Sequence, residues 1–226
     1  MRSYVNKYIE LVSALADELD SFAQVLKSLG ADEWSRPTLL APVDLAPHWT
    51  VLELAGHLGY AMNMIDTLLS KASAPPPALD RVSFYDQPKG LLAPLAYRTA
   101  ADVAADMTSA EMLDYCLTNF SNAPAKARLA EPTFVGWTVI GTIQIDEFIA
   151  TRVVEAVIHG LDLAQALNRS ATPSDAAVEC AANVLDSLNV RHQAHSRPES
   201  LSEDWLWVQV ASGRRHHDDF PVPLLN

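Results

Sequence analysis

Arg152-Val-Val-Glu155-Ala-Val-Ile-His159-Gly-Leu-Asp162-Leu163 is a helix-compatible stretch in which polar residues run through an otherwise apolar segment. Positions 152, 155, 159 and 162 follow a 3, 4, 3 spacing, which places them on one helical face. The surrounding Val, Ile, Leu and Ala direct that face toward a core. Ionisable side chains are rarely buried unless they are paired or bound to something. The stretch therefore predicts an interior helix whose polar stripe meets other helices. A Glu and a His four residues apart on such a face can also bind one metal ion.

Working outward, residues 3–29 repeat apolar side chains at Tyr4, Tyr8, Leu11, Leu15, Leu19, Phe22 and Leu26, a long amphipathic helix that Gly30 stops. Pro37, Pro42 and Pro47 mark a loop. A second helix begins near Trp49, where Thr50-Val-Leu-Glu53 has the capping-box pattern, and Pro75-Pro76-Pro77 ends it. Its apolar face is Leu54, Leu58, Ala61, Ile65 and Leu68. Residues 78–98 read as a Pro-punctuated loop, with Phe84 and Tyr85 packing on the body. A third helix is expected from Thr99 to Phe120, burying Met107, Leu113, Leu117 and Phe120, followed by loop over 121–141 through Pro124 and Pro132. The striped helix spans about Thr142–Leu167. Four long helices with faces toward a common centre predict a mainly α chain, a four-helix bundle whose long connections include a crossover.

Asn168–Thr172 marks a break. A fifth helix follows, with Thr172 as N-cap and Pro173 at its first position, running to Val190. Trp205-Leu-Trp-Val-Gln-Val-Ala reads as a strand and Phe220-Pro-Val-Pro-Leu-Leu as a short extended edge. The expected organisation is thus a bundle over 1–169 and a small C-terminal α/β domain over 170–226.

A hydrophobic content of 49% in 226 residues is that of a globular chain with a sizeable core. No apolar run reaches about 18 residues, so no membrane span is expected. The N-terminus lacks a continuous apolar segment of signal-peptide type, which predicts a cytoplasmic protein. A net charge of −12 argues against nucleic acid and against anionic membranes as partners. Cys116 and Cys180 are far apart and form no CxxC, so both are read as free thiols.

A catalytic metal site usually has three protein ligands and one open position. Glu155 and His159 provide two. His57, among Leu54, Leu58 and Ala61 on the core face of the second helix, is the natural third. The spacing is not H-E-x-x-H, so that motif does not apply. Asp162 either accepts the other imidazole N–H of a ligand or serves as a cap or interhelix ion pair. Arg152 is read as a structural partner of Glu155 rather than a substrate contact. His192, His195, His216 and His217 lie in polar segments and read as surface. Trp49, Trp137, Trp205 and Trp207 read as core or pocket wall. No GxSxG, Gly-rich phosphate loop or acyl-transfer triad is present.

These residues resemble the mycothiol-dependent maleylpyruvate isomerase family, within the broader DinB-like metal proteins. Trp49-Thr-Val-Leu-Glu-Leu-Ala-Gly-His57-Leu is similar to the family's first metal-bearing helix. Glu155-Ala-Val-Ile-His159-Gly-Leu-Asp162-Leu is similar to its E-x-x-x-H-x-x-D helix, and Ala211-Ser-Gly-Arg214 to a turn of its C-terminal domain. The resemblance implies a DinB-like bundle and a divalent metal, usually zinc, held by His57, Glu155 and His159. It implies mycothiol, the low-molecular-weight thiol of actinobacteria, as cosubstrate, and a small electrophilic substrate. It also implies a role in activity for a C-terminal arginine, matched by Arg214 with Arg215 adjacent. The expected enzyme is a transferase or isomerase in which a thiolate attacks the electrophile. A metal-dependent hydrolase on the same bundle and a non-enzymatic metal-binding protein are the rivals.

Overall fold

A computed structural model describes residues 2–38, 48–73, 76–87 and 92–225. Its helices are α1 (Arg2–Lys27), α2 (Val51–Ser70), α3 (Arg81–Tyr85), α4 (Leu92–Ala104), α5 (Ser109–Leu129), α6 (Ile145–Ala166), α7 (Asp175–Gln193) and α8 (Asp204–Ala211). A hairpin of β1 (Val135–Thr138) and β2 (Gly141–Gln144) precedes α6. The chain is mainly α, in the DinB-like manner expected of the sequence, with a small sheet element.

The four long helices α1, α5, α2 and α6 form a ring in that order. Side-chain contacts fix their directions. Phe22 meets Phe120 and Tyr8 bonds the Ala127 carbonyl, so α1 and α5 run antiparallel. Cys116 bonds the Ala55 carbonyl and Lys126 pairs with Asp66, so α5 and α2 run parallel. Arg152 reaches the Ala61 carbonyl while Glu155 meets His57, so α6 is antiparallel to α2. Parallel neighbours cannot be joined by a short turn. The α2–α5 connection is therefore the long crossover the sequence suggests, and it carries α3 and α4.

Local sequence accounts for most of the ends. Thr50 and Glu53 form the capping box expected at the start of α2: the Thr50 N–H donates to Glu53 Oε2 at 2.7 Å and the Glu53 N–H to Thr50 Oγ1 at 3.2 Å. Thr108 and Glu111 repeat the device at α5. That box splits the expected Thr99–Phe120 helix into α4 and α5. The crossover, read as loop over 78–98, contains α3, capped by Asp80, and most of α4. α5 also runs on through Pro124 to Leu129, where loop was expected. A helix-interior proline costs about 3 kcal/mol. Burial of Phe120, Ala123 and Ala127 on the same face outweighs that preference. Pro42, Pro47 and Pro75 lie outside the described residues.

The C-terminal segment departs further from expectation. α7 begins after Ser174, whose side chain accepts from the Ala177 N–H, not after Thr172. Residues 205–211 are helix α8 rather than a strand. Glu203 caps it, and the buried Trp207, Val208 and Ala211 follow helical spacing. The 220–225 segment is irregular, held by the Leu224 N–H to the Ala211 carbonyl and by Phe220 on the edge of Trp207. Trp137 is 51% exposed on the hairpin rather than in the core.

The hairpin clamps the end of α2, with the Trp137 N–H on the Lys71 carbonyl and the Ser73 N–H on the Val135 carbonyl. Gly136 sits so close that a Cβ there would meet the Leu68 carbonyl oxygen at 2.3 Å. Gly136→Ala should therefore destabilise the fold by about 2 kcal/mol or more. A thermal midpoint equal to wild type would remove the clamp from this account.

Candidate metal centre

α2 buries Val51, Leu54, Ala55, Leu58, Ala61, Met62, Ile65 and Leu68, which leaves His57 facing α6 from within the core. α6 is buried on nearly every face. Its polar stripe is therefore largely buried, with Glu155 the partly exposed member. His57 Nε2 lies 3.4 Å and His159 Nε2 3.3 Å from the same oxygen, Glu155 Oε2. One donor atom from each of the three residues falls within 4.8 Å of the others. The three residues singled out from the sequence are thus brought together.

The spacing bears on what the cluster can hold. Charge-assisted N–H···O bonds run about 2.7–2.9 Å. The two separations here are longer. They match the roughly 3.3 Å edge of a tetrahedron whose N and O ligands lie about 2.0–2.1 Å from zinc. The donor set, two imidazoles and a carboxylate, also suits zinc. Burial and mutual pairing shift all three groups. Burial alone would raise the Glu155 carboxyl, yet bonds from His159 and His57, with Arg152 nearby, hold it well below the usual range. Burial pulls His159 down, but Asp162 and Glu155 overcome it and raise it to about 9. His57 is lowered by burial, which outweighs Glu155. The residues fit a divalent metal.

Outer partners orient the cluster. His159 Nδ1 lies 3.0 Å from Asp162 Oδ2. Arg214 grips Asp162 with two bonds, Nε to Oδ1 at 2.9 Å and Nη2 to Oδ2 at 3.0 Å, and donates from Nη1 to the Ser212 carbonyl. Asp162 is pulled up by burial, but His159 and Arg214 hold it below its ordinary value. Of the two adjacent arginines, Arg214 reaches the site and Arg215 is exposed. Trp49 lies against both imidazoles, with ring centroids 4.9 Å from His57 and 6.3 Å from His159.

Arg152 does not form the expected contact pair with Glu155. Its guanidinium lies over Phe148 and Phe84, 4.6 Å and 5.3 Å from their centroids, and bonds Thr151 Oγ1 and the Ala61 carbonyl. One functional candidate escaped the sequence reading. Tyr85, on the unforeseen α3, donates its hydroxyl toward Glu155 Oε1 at 3.3 Å and the Thr151 carbonyl at 2.9 Å. Nothing in its proline-punctuated surroundings signalled that reach. His192, beside Asp86, and His195 and His216 lie away from the cluster at the surface. Cys116 and Cys180 are free thiols, pushed up to about 12 and about 11 chiefly by burial. An open groove of about 760 Å³ along α7 and the start of α8 lies apart from the cluster.

Residues 15–164 match the family model of the mycothiol maleylpyruvate isomerase N-terminal domain. The chain belongs to that family. The match takes in His57, Glu155, His159 and Asp162 and stops short of Arg214. Two solved structures of a mycothiol-dependent maleylpyruvate isomerase share the fold. A histidine-to-alanine mutant has a TM-score of 0.62 at 13% identity, over 98% of this chain and 96% of that one. The second structure has a TM-score of 0.59 at 15% identity, with the same coverage. A search of curated proteins finds no match.

The titrations give a signed prediction for chelator-treated protein. His159 is raised from 6.5 to about 9, so its stabilisation is complete below pH 6.5 and is lost as pH rises toward 9. His57 has the opposite sign, and its contribution fades below pH 6.5, outside that window. The thermal midpoint should fall between pH 6.5 and 9, and His159→Gln should flatten the slope. Equal slopes in the two proteins would contradict the assignment.

Proposed function

We propose that the protein is a metal-dependent enzyme that uses mycothiol to transfer sulfur to, or isomerise, a small electrophilic substrate. The observation that carries this reading is the convergence of His57, Glu155 and His159 inside a bundle of this family. A divalent ion held there, zinc by its donor set, would stabilise a thiolate at neutral pH. His57 and His159 would hold it through Nε2 and Glu155 through Oε2, the atoms that face one another. Asp162 fixes the proton of His159 on Nδ1, which leaves the Nε2 lone pair facing inward. Arg214 steadies Asp162 and so acts through it rather than on substrate. Trp49 and the apolar faces of α2 and α6 wall the site against water. A thiolate would add to an electrophilic carbon of an activated double bond, the π pair moving onto the activating group. In isomerisation, rotation about the resulting single bond and expulsion of the sulfur restore the double bond. In transfer the sulfur stays and a leaving group departs with its electron pair. Residues 170–226 are read as the unit that carries Arg214 onto the 1–169 bundle. Reduced Cys116 and Cys180 accord with a cytoplasmic setting.

Purified protein should hold about one divalent ion per chain. His57→Ala, Glu155→Ala and His159→Ala should each cost more affinity than the ~10–100-fold typical of outer partners. Asp162→Asn and Arg214→Ala should fall within that smaller range and keep the fold. Full metal content in all three ligand variants would sink the site. Turnover of an ester or amide without thiol would instead mark a hydrolase.

Mycothiol should change the absorption of cobalt-substituted protein, and turnover should require both metal and thiol and stop with a chelator. No spectral change on adding thiol would remove the sulfur from the site.

A further inference from the structure

Glu155 uses its two oxygens differently. Oε2 faces both imidazoles, at 3.4 Å and 3.3 Å. Oε1 has one hydrogen-bond donor among the described residues, the Tyr85 hydroxyl at 3.3 Å. Tyr85 also points at the Thr151 carbonyl, at 2.9 Å. That carbonyl lies within α6, where the Glu155 N–H already supplies its helical bond. The phenol proton thus has a satisfied neutral acceptor on one side and an otherwise undonated carboxylate oxygen on the other. The hydroxyl is shared, closer to the carbonyl at 2.9 Å than to Oε1 at 3.3 Å, and the negative charge on Oε1 strengthens the longer arm.

The position of Tyr85 is built, not incidental. α3 is only five residues long, yet three contacts pin it to α6 and α7. Arg81 forks onto Glu147 with bonds of 2.7 Å and 2.8 Å. Phe84 packs edge-on against Phe148. Asp86, just past the helix, pairs with Arg191 and His192 of α7. A short helix with this much anchoring presents the tyrosine hydroxyl at a fixed point.

We infer that Tyr85 is a positioning residue that restricts Glu155 to ligation through one oxygen and so keeps a coordination position open for the thiol sulfur. The inference rests on the metal reading above and adds to it a residue outside the ligand set. A carboxylate with both oxygens free can chelate an ion and fill the place that a cosubstrate needs. The tyrosine engages Oε1 and leaves only Oε2 facing the imidazoles. The reacting sulfur does not touch Tyr85; its effect passes through Glu155.

Tyr85→Phe removes one hydroxyl and keeps the ring against Phe84. The test loads wild type and variant with cobalt and titrates each with mycothiol. In the variant, the cobalt absorption should weaken as coordination number rises, and half-saturation by mycothiol should increase about ten-fold or more. Arg81→Gln loosens α3 without touching the phenol, and both readouts should move in the same direction. It also covers the case in which the first variant folds poorly, which circular dichroism of the chelated proteins would reveal. A purely structural tyrosine would lower the thermal midpoint and leave spectrum and half-saturation unchanged, which overturns the inference. Wild type that binds cobalt and mycothiol, beside variants that match it, defeats this inference alone. Wild type that takes up no cobalt defeats the metal reading and this one with it.

Discussion

The polar face of α6 is the constraint on which the rest depends. Arg152, Glu155, His159 and Asp162 point from a helix that is buried nearly all round. An unpaired charge in such a place costs several kcal/mol. Partners on the same helix and from three other parts of the chain meet these groups. α2 brings His57, α3 brings Tyr85, the segment after α8 brings Arg214, and two phenylalanines cover Arg152. Two carboxylates and two guanidiniums balance. Against its burial, His159 is raised to about 9 by Asp162 and Glu155 on the same helix.

Bundle topology decides which segments can reach that face. Because α2 and α5 run side by side in the same direction, the chain must travel the length of the bundle between them. That journey passes outside α6 and deposits α3 there, bound by the Arg81–Glu147 fork. A connection between antiparallel neighbours would need only a short turn and would deliver nothing. The crossover is thus the physical reason that Glu155 has a tyrosine behind it.

The clustered residues and two of their supports, Asp162 and Arg214, stood out in the sequence, and Tyr85 did not. The 3, 4, 3 stripe, the Thr50–Glu53 box and the lone histidine on an apolar face are local signals, and local periodicity survives folding. Trp205–Ala211 shows the limit. Its Val and Trp residues alternate as a strand should, yet Glu203 caps a helix whose buried side is Trp207, Val208 and Ala211. Packing overrode propensity there. Pro124 misled in the same way, because a proline was weighed as a stop and the burial around it was not. Tyr85 lay beyond reach for another reason. Its meaning comes from Glu155, 70 positions away, and no spacing rule links a loop tyrosine to a helix that distant.

The Asp162–Arg214 fork shows how such a site can vary. Asp162 lies near the end of the family match at residue 164, and its partner lies beyond it. The clustered residues and their outermost support therefore come from different segments of the chain, α2 and α6 on one side and the turn after α8 on the other. A fork with two bonds at 2.9 and 3.0 Å fixes the plane of the carboxylate. That plane sets the hydrogen bond to His159 Nδ1, and the ring orientation follows. Control of the imidazole thus resides partly in a C-terminal turn that the bundle does not itself contain. Arg214 bears on the orientation of His159 from outside the ring of long helices.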